Sequence, residues 1–128
     1  MKILICDDEV EIVTMLEDII LDHFPSMEVT KAYNGLEALE LCKKEKFDAI
    51  TSDQKMPKMT GLEFFHALNN IPNLNKETPI AFITAFAQDL KKELGSDEFF
   101  IIPKPFSNDE LIKVVKLMSV VSKFKKTS

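Results

Sequence analysis

Five polar residues stand where they could do phosphorus chemistry together: Asp7 and Asp8, Asp53, Thr84 and Lys104. Each follows or ends a short apolar run; Asp7 and Asp8 come directly after Ile3-Leu4-Ile5-Cys6, and Thr84 closes Ile80-Ala81-Phe82-Ile83. Three carboxylates gathered at one place repel each other, and a hard divalent cation with oxygen ligands is the simplest relief. Mg²⁺ suits Asp7, Asp8 and Asp53 because it binds through a few carboxylates while keeping water and phosphate oxygens in its shell, with Mn²⁺ as the alternative cation. A carboxylate at the end of a buried strand, such as Asp53, can attack phosphorus and form an acyl phosphate. The oxygens of the transferring group then need positive charge and donors arranged in advance. The cation, the Lys104 ammonium, and the Thr84 hydroxyl with a nearby backbone amide would each serve one oxygen.

Taken singly, these residues say little. An Asp-Asp pair after a strand is often a helix cap with a first-turn acid, and one Asp at a strand end is commonly a turn former. Thr84 alone reads as a core hydroxyl and Lys104, between Pro103 and Pro105, as a loop lysine. Their joint order along the chain carries the reading. His23 and His66 have no partner in this set and read as surface residues of helices.

The elements that must position these groups are legible as an alternation of short β-branched apolar runs with longer stretches of three- and four-residue periodicity. Strands are expected at Lys2 to Cys6, Met27 to Ala32, Phe47 to Ser52, Pro79 to Ala85 and Phe99 to Ile102. Between them, a first helix carries Val13, Leu16, Ile20 and Phe24 and is stopped by Pro25, which has no amide for the next turn. A second presents Leu36, Leu39 and Cys42 after Asn34-Gly35; a third, from about Gly61 to Asn69, buries Leu62, Phe65 and Leu68. The fourth is short, Gln88 to Leu94, and the fifth begins at a Ser107/Glu110 cap and shows Leu111, Val114, Val115 and Met118 on one stripe. Right-handed crossovers of this length give an α/β, flavodoxin-like doubly wound sandwich: a five-stranded parallel sheet of order 2-1-3-4-5 with five helices. In that order strands one and three are neighbours, so the acids converge where the strand order reverses. The polar loop 69–78 reads as a surface connection.

A chain of 128 residues, 45% hydrophobic and 29% charged, has the balance of one folded domain. The expectation is a domain over residues 1–124 followed by a short polar tail, 125–128, with no output domain. No apolar run is long enough to span a bilayer, and the start meets acids at once, so the expected location is cytoplasmic, away from membranes. A formal charge of −5, with all 16 basic residues lysine, argues against nucleic acid as the partner. Cys6 and Cys42 lie inside apolar patterns and read as buried thiols.

With these features assembled, the chain resembles the receiver domains of two-component response regulators along essentially its whole length. The likeness is carried by Ile3-Leu4-Ile5-Cys6-Asp7-Asp8-Glu9, Asp53 with Met56-Pro57, Met59 and Gly61, Thr84-Ala85, and Lys104-Pro105-Phe106. The resemblance implies phosphorylation of Asp53 by a sensor histidine kinase or histidine phosphotransfer protein. It also implies Mg²⁺ held by Asp8, Asp53 and the Lys55 backbone carbonyl, with Asp7 acting mostly through water, and a cis Lys104-Pro105 bond. It implies a switch in which Thr84 moves inward, an aromatic of strand five follows, and the surface of helix four, strand five and helix five is reshaped for a downstream protein target or a homodimer. The sequence departs from that pattern where Ile101 stands three residues before Lys104, with Phe100 one residue earlier. Lys55 and Phe86, two residues past Asp53 and Thr84, flank the path of water in the family, and a bulky Phe86 would slow loss of the phosphoryl group. Helix five carries extra apolar residues, Ile112, Leu117, Val120 and Phe124, that suit a homodimer or docking to a kinase or downstream protein.

Two other classes fit the sequence less well. A phosphatase with an aspartyl nucleophile would want a second acid two residues on, where this chain has Lys55. A flavodoxin-type electron carrier would want a Ser/Thr/Gly-rich phosphate loop after strand one, where this chain has acids.

Overall fold

The computed structural model describes residues 1–95 and 100–127, the last three by backbone alone. Strands β1 (Lys2–Cys6), β2 (Glu28–Ala32), β3 (Ala49–Ser52), β4 (Ile80–Thr84) and β5 (Phe100–Pro103) alternate with helices α1 (Val10–His23), α2 (Gly35–Lys44), α3 (Gly61–Asn70), α4 (Ala87–Leu94) and α5 (Asn108–Thr127). All strands pair in parallel in the order β2-β1-β3-β4-β5, the topology expected from the sequence. The strand that was to begin at Phe99 is seen from Phe100, Phe99 lying outside the described residues. Pro103 ends β5 at the edge of the sheet, where a missing amide costs no ladder bond.

Strand alternation sends odd and even residues to opposite faces, so two cores form. Ile3, Ile5, Ala49, Ala81 and Ile83 meet α1 and α5 on one face; Leu4, Cys6, Ile50, Ile80 and Phe82 meet α2, α3 and α4 on the other. Phe47, Phe64 and Phe82 are fully buried in the second core, each contributing roughly 2–3 kcal/mol by its removal from water.

The helices differ from expectation in which residues they bury. In α2 the inward stripe is Gly35, Ala38, Leu39 and Cys42, and Leu36 is exposed. Asn34 caps the helix by accepting the Glu37 N–H, and with Gly35 against the β3–α3 loop, position 36 is turned outward. In α3 the fully buried residues are Gly61, Phe64 and Leu68, while Leu62 and Phe65 pack at the margin of the core. Phe24 lies just past the end of α1, half-buried, because a residue before proline is kept out of helical angles. The Ser107 cap is present, its Oγ accepting from the Glu110 N–H at 3.1 Å, and α5 stays helical through most of the expected tail.

The loop between α3 and β4 is more than a surface connection. Asn75 is buried, and its side chain uses every hydrogen-bonding position. Oδ1 accepts from the Phe47 N–H at 2.8 Å and the Thr78 hydroxyl at 2.9 Å, and Nδ2 donates to the Cys42 and Glu45 carbonyls at 2.8 and 2.7 Å. One side chain therefore ties the end of α2, the approach to β3 and the approach to β4.

Thr51 has the opposite character. It lies between Ile5 and Ala81, and among the described residues its Oγ1 is a fully buried polar atom without a partner. Replacing the hydroxyl by a methyl removes that cost without changing the shape, so Thr51→Val is expected to raise stability by about 1 kcal/mol. A urea midpoint that falls instead would show that the hydroxyl is paired, for instance through an internal water.

Candidate active site

Neighbouring strands fix the functional residues at the carboxyl edge of the sheet. The Asp7 N–H donates to the Ala32 carbonyl at 3.2 Å, the Asp53 N–H to the Cys6 carbonyl at 3.0 Å and the Lys104 N–H to the Thr84 carbonyl at 2.9 Å. Each residue is thus the first past a strand whose partner still holds its backbone. Beyond it the Lys104-Pro105 bond is cis.

These backbones aim their side chains at one another. Asp7 and Asp53 are only 1% and 9% exposed, Asp8 is open to solvent, and the three offer carboxylate oxygens within 4.8 Å of one another. Lys104 Nζ lies 2.8 Å from Asp7 Oδ2 and 3.2 Å from Asp53 Oδ2, so one ammonium serves both buried acids. The remaining oxygens have backbone donors: Asp7 Oδ1 accepts from the Glu9 N–H at 3.0 Å and Asp53 Oδ1 from the Gln54 N–H at 2.7 Å. Burial pulls the Lys104 pKa down, but the Asp7 hydrogen bond and the Asp53 and Asp7 charges outweigh it and hold the ammonium above its ordinary 10.5. Such a group adds stability fully below its unfolded pKa and loses it as pH rises through the higher folded value, so this contact persists across the neutral range.

Thr84 is fully buried at the end of β4, and its Oγ1 accepts the Phe86 N–H at 3.1 Å. The expected amide near Thr84 is present, spent for now on the threonine itself. Lys55 is exposed, and its ammonium stands 4.1 Å from the centre of the Phe86 ring. Those two residues, far apart in sequence, form a cation–π contact beside the acceptor. His23 and His66 are exposed on α1 and α3, apart from this array. Cys6 and Cys42 are buried free thiols; burial raises both, Cys42 to about 12, so neither is a thiolate at neutral pH.

Sequence reasoning missed how the acceptor loop is anchored. Gln54 receives the Gly61 N–H on its carbonyl at 2.9 Å and the Leu62 N–H on Oε1 at 2.7 Å, while Ser52 Oγ donates to the Asp53 carbonyl at 2.8 Å. Gly61 is required by contact: a Cβ there would run into the Asp53 carbonyl. Lys58 takes a φ of 68°, and the Met59 N–H closes a tight turn over it onto the Pro57 carbonyl at 2.7 Å. A polar residue directly after the acceptor was the available hint for Gln54, but only the folded loop gives it two partners.

The site can therefore present one buried carboxylate oxygen to an electrophile, place an ammonium beside it, and offer two further carboxylates to a cation. Proteins of known identity resemble the chain in sequence and in fold. Residues 3–116 match the response regulator receiver domain family. A transcriptional regulatory protein CpxR homolog of Haemophilus influenzae is 32% identical over 119 residues, which are 90% of this chain and 48% of that protein. The chain thus spans about half the length of curated relatives it matches. The Francisella response regulator 1452 receiver domain superposes with a TM-score of 0.80 at 29% identity, covering 99% of this chain and 98% of that one. The receiver domain of the sensor histidine kinase PA1611 from Pseudomonas aeruginosa, solved with a magnesium ion coordinated in its active site cleft, gives 0.80 at 23% identity, covering 93% and 97%. By its profile, its fold and its relatives, this chain belongs to the response regulator receiver domain family.

Proposed function

We propose that the chain works as a phosphorylation switch: Asp53 accepts a phosphoryl group from a sensor histidine kinase or histidine phosphotransfer protein, beside Mg²⁺ bound by Asp7, Asp8, Asp53 and the Lys55 carbonyl. The observation that carries this reading is the meeting of three carboxylates and one lysine at a single edge. The donor set fits the cation, since hard carboxylate oxygens with a local excess of negative charge are what Mg²⁺ or Mn²⁺ selects. When bound, the cation would neutralise charge on the phosphoryl oxygens.

The chain's own residues do the rest. Gln54 N–H holds one Asp53 oxygen, which leaves the other to attack phosphorus as the donor's bond to phosphorus breaks and its leaving group departs with the electron pair. Lys104, already at hydrogen-bonding distance from Asp53, needs little rearrangement to meet a phosphoryl oxygen. The reaction modifies the protein itself, in keeping with a signalling switch rather than an enzyme acting on a separate substrate, and the proposed setting is the cytoplasm. Incubation with Mg²⁺ and acetyl phosphate, followed by intact mass measurement, is expected to show a gain of one phosphoryl group that Asp53→Asn lacks. The same gain in that variant, or no gain in the wild type, would defeat the reading.

For the downstream target we assign the surface of α4, β5 and α5, coupled to the site through Thr84. To reach the phosphoryl group its hydroxyl must give up the Phe86 amide. Ile101 packs in the core that Thr84's face of the sheet overlooks, with Phe82 and Leu90, whereas Phe100 packs toward α5 on the opposite side. That shared face favours Ile101 over Phe100 as the residue that follows Thr84.

On this reading Phe86, held against the Lys55 ammonium, screens the acceptor from water. Phe86→Ala is expected to speed loss of phosphate from the modified protein by about threefold to tenfold, because excluding water slows hydrolysis. Equal or slower loss would remove Phe86 as a screen.

A further inference from the structure

The outward faces of α1 and α5, side by side on one face of the sheet, carry opposite charge. On α1, Glu11, Asp18 and Asp22 are exposed and no lysine occurs between Val10 and His23. On α5, Lys113, Lys116 and Lys123 are exposed, and its acids, Asp109 and Glu110, are confined to the first turn. Both faces also show apolar side chains: Met15 is 40% exposed on α1 and Val120 is 64% exposed on α5. Val120, flanked by Lys116 and Lys123, borders a groove of about 370 Å³ that reaches Phe24 and Met27 at the foot of α1. The apolar surplus of α5 thus extends toward α1 rather than only toward β5.

From this pairing we infer that the α1–α5 face binds a second copy of this chain in a two-fold symmetric dimer. A two-fold axis through that face sets α1 of each copy against α5 of the other. The acidic helix then meets the basic one twice, while Met15 and Val120 leave water between them. Like-charged arrangements, α1 on α1 or α5 on α5, repel, so the charges fix the register as well as favouring the contact. The surface is separate from the acids at the carboxyl edge of the sheet, so the dimer does not depend on the phosphorylation chemistry.

Sedimentation equilibrium of the unmodified protein, from roughly 10 µM to 1 mM, tests this. A monomer–dimer equilibrium is expected, weakening by about tenfold as salt rises from low to high ionic strength. Reversing one face in Glu11→Lys with Asp18→Lys, or the other in Lys116→Glu with Lys123→Glu, should leave each variant monomeric. Mixed together, the two variants should form a heterodimer, because each acidic or basic face again meets its opposite. A monomeric wild type across the whole range overturns the inference, as do reversed variants that still self-associate or a mixture that does not recombine. Unchanged far-ultraviolet circular dichroism in both variants separates loss of contact from loss of fold.

Discussion

Lys104→Met is expected to slow phosphorylation of Asp53 by acetyl phosphate by about 10²–10³-fold while tightening the binding of Mg²⁺ several-fold. The first effect follows from removing a positioned cation from a buried site where charge develops in the transition state. Lys104 is the ammonium within hydrogen-bonding distance of both Asp7 and Asp53, and methionine keeps much of its stem while losing that charge. The second effect has the opposite sign because the lysine and a dication neutralise the same carboxylates; without the lysine, the acids have more to gain from the ion. Rates from intact mass and affinities from calorimetry measure the two together. A variant that lost both would point to a collapsed site, and one that kept its rate would show that Lys104 only balances charge at rest.

Asn75→Ala is expected to destabilise the fold by about 3–5 kcal/mol, read as a drop in the urea midpoint. The loss strands the Phe47 amide and the Glu45 carbonyl and leaves the Cys42 carbonyl with the long 3.4 Å bond from the Leu74 N–H, and a methyl group cannot replace any of the bonds that Asn75 makes to them. Asn75→Asp keeps the acceptor but turns its second oxygen toward two carbonyls, so it is expected to be no milder than alanine. The network sits at the amino ends of β3 and β4, across the sheet from Asp53, and folded variant protein should therefore still take up a phosphoryl group. A shift below about 1 kcal/mol would mean that water takes over the network.

How legible all this was in the sequence depended on the kind of signal. Ile3-Leu4-Ile5-Cys6 and Ile80-Ala81-Phe82-Ile83 announce buried parallel strands, and once their order is known Asp7, Asp53, Thr84 and Lys104 must share an edge. Helix faces were harder because small residues carry no hydrophobic emphasis: Gly35 and Ala38 define the inward side of α2, yet Leu36 draws the eye. In α3, Phe64 and Phe65 are equally apolar and only the helix's contact with the sheet selects Phe64. Asn75 lay in a run of Asn, Pro and Lys with the composition of a surface loop, and its burial depends on three segments that meet only in three dimensions. The Lys55–Phe86 contact was invisible for the same reason, although the resemblance places both residues along the path of water.

Gln54 and Gly61 join the acceptor to the first turn of α3 with almost no slack: two amides of the helix end on one glutamine, and the glycine touches the Asp53 backbone itself. Any adjustment Asp53 makes on gaining a bulky, charged group must therefore be passed to the start of α3 or absorbed by Lys58, whose left-handed backbone is the strained link in the strap. A spectroscopic probe at the head of α3 should accordingly register modification of Asp53 even though α3 lies outside the surface assigned to the downstream target.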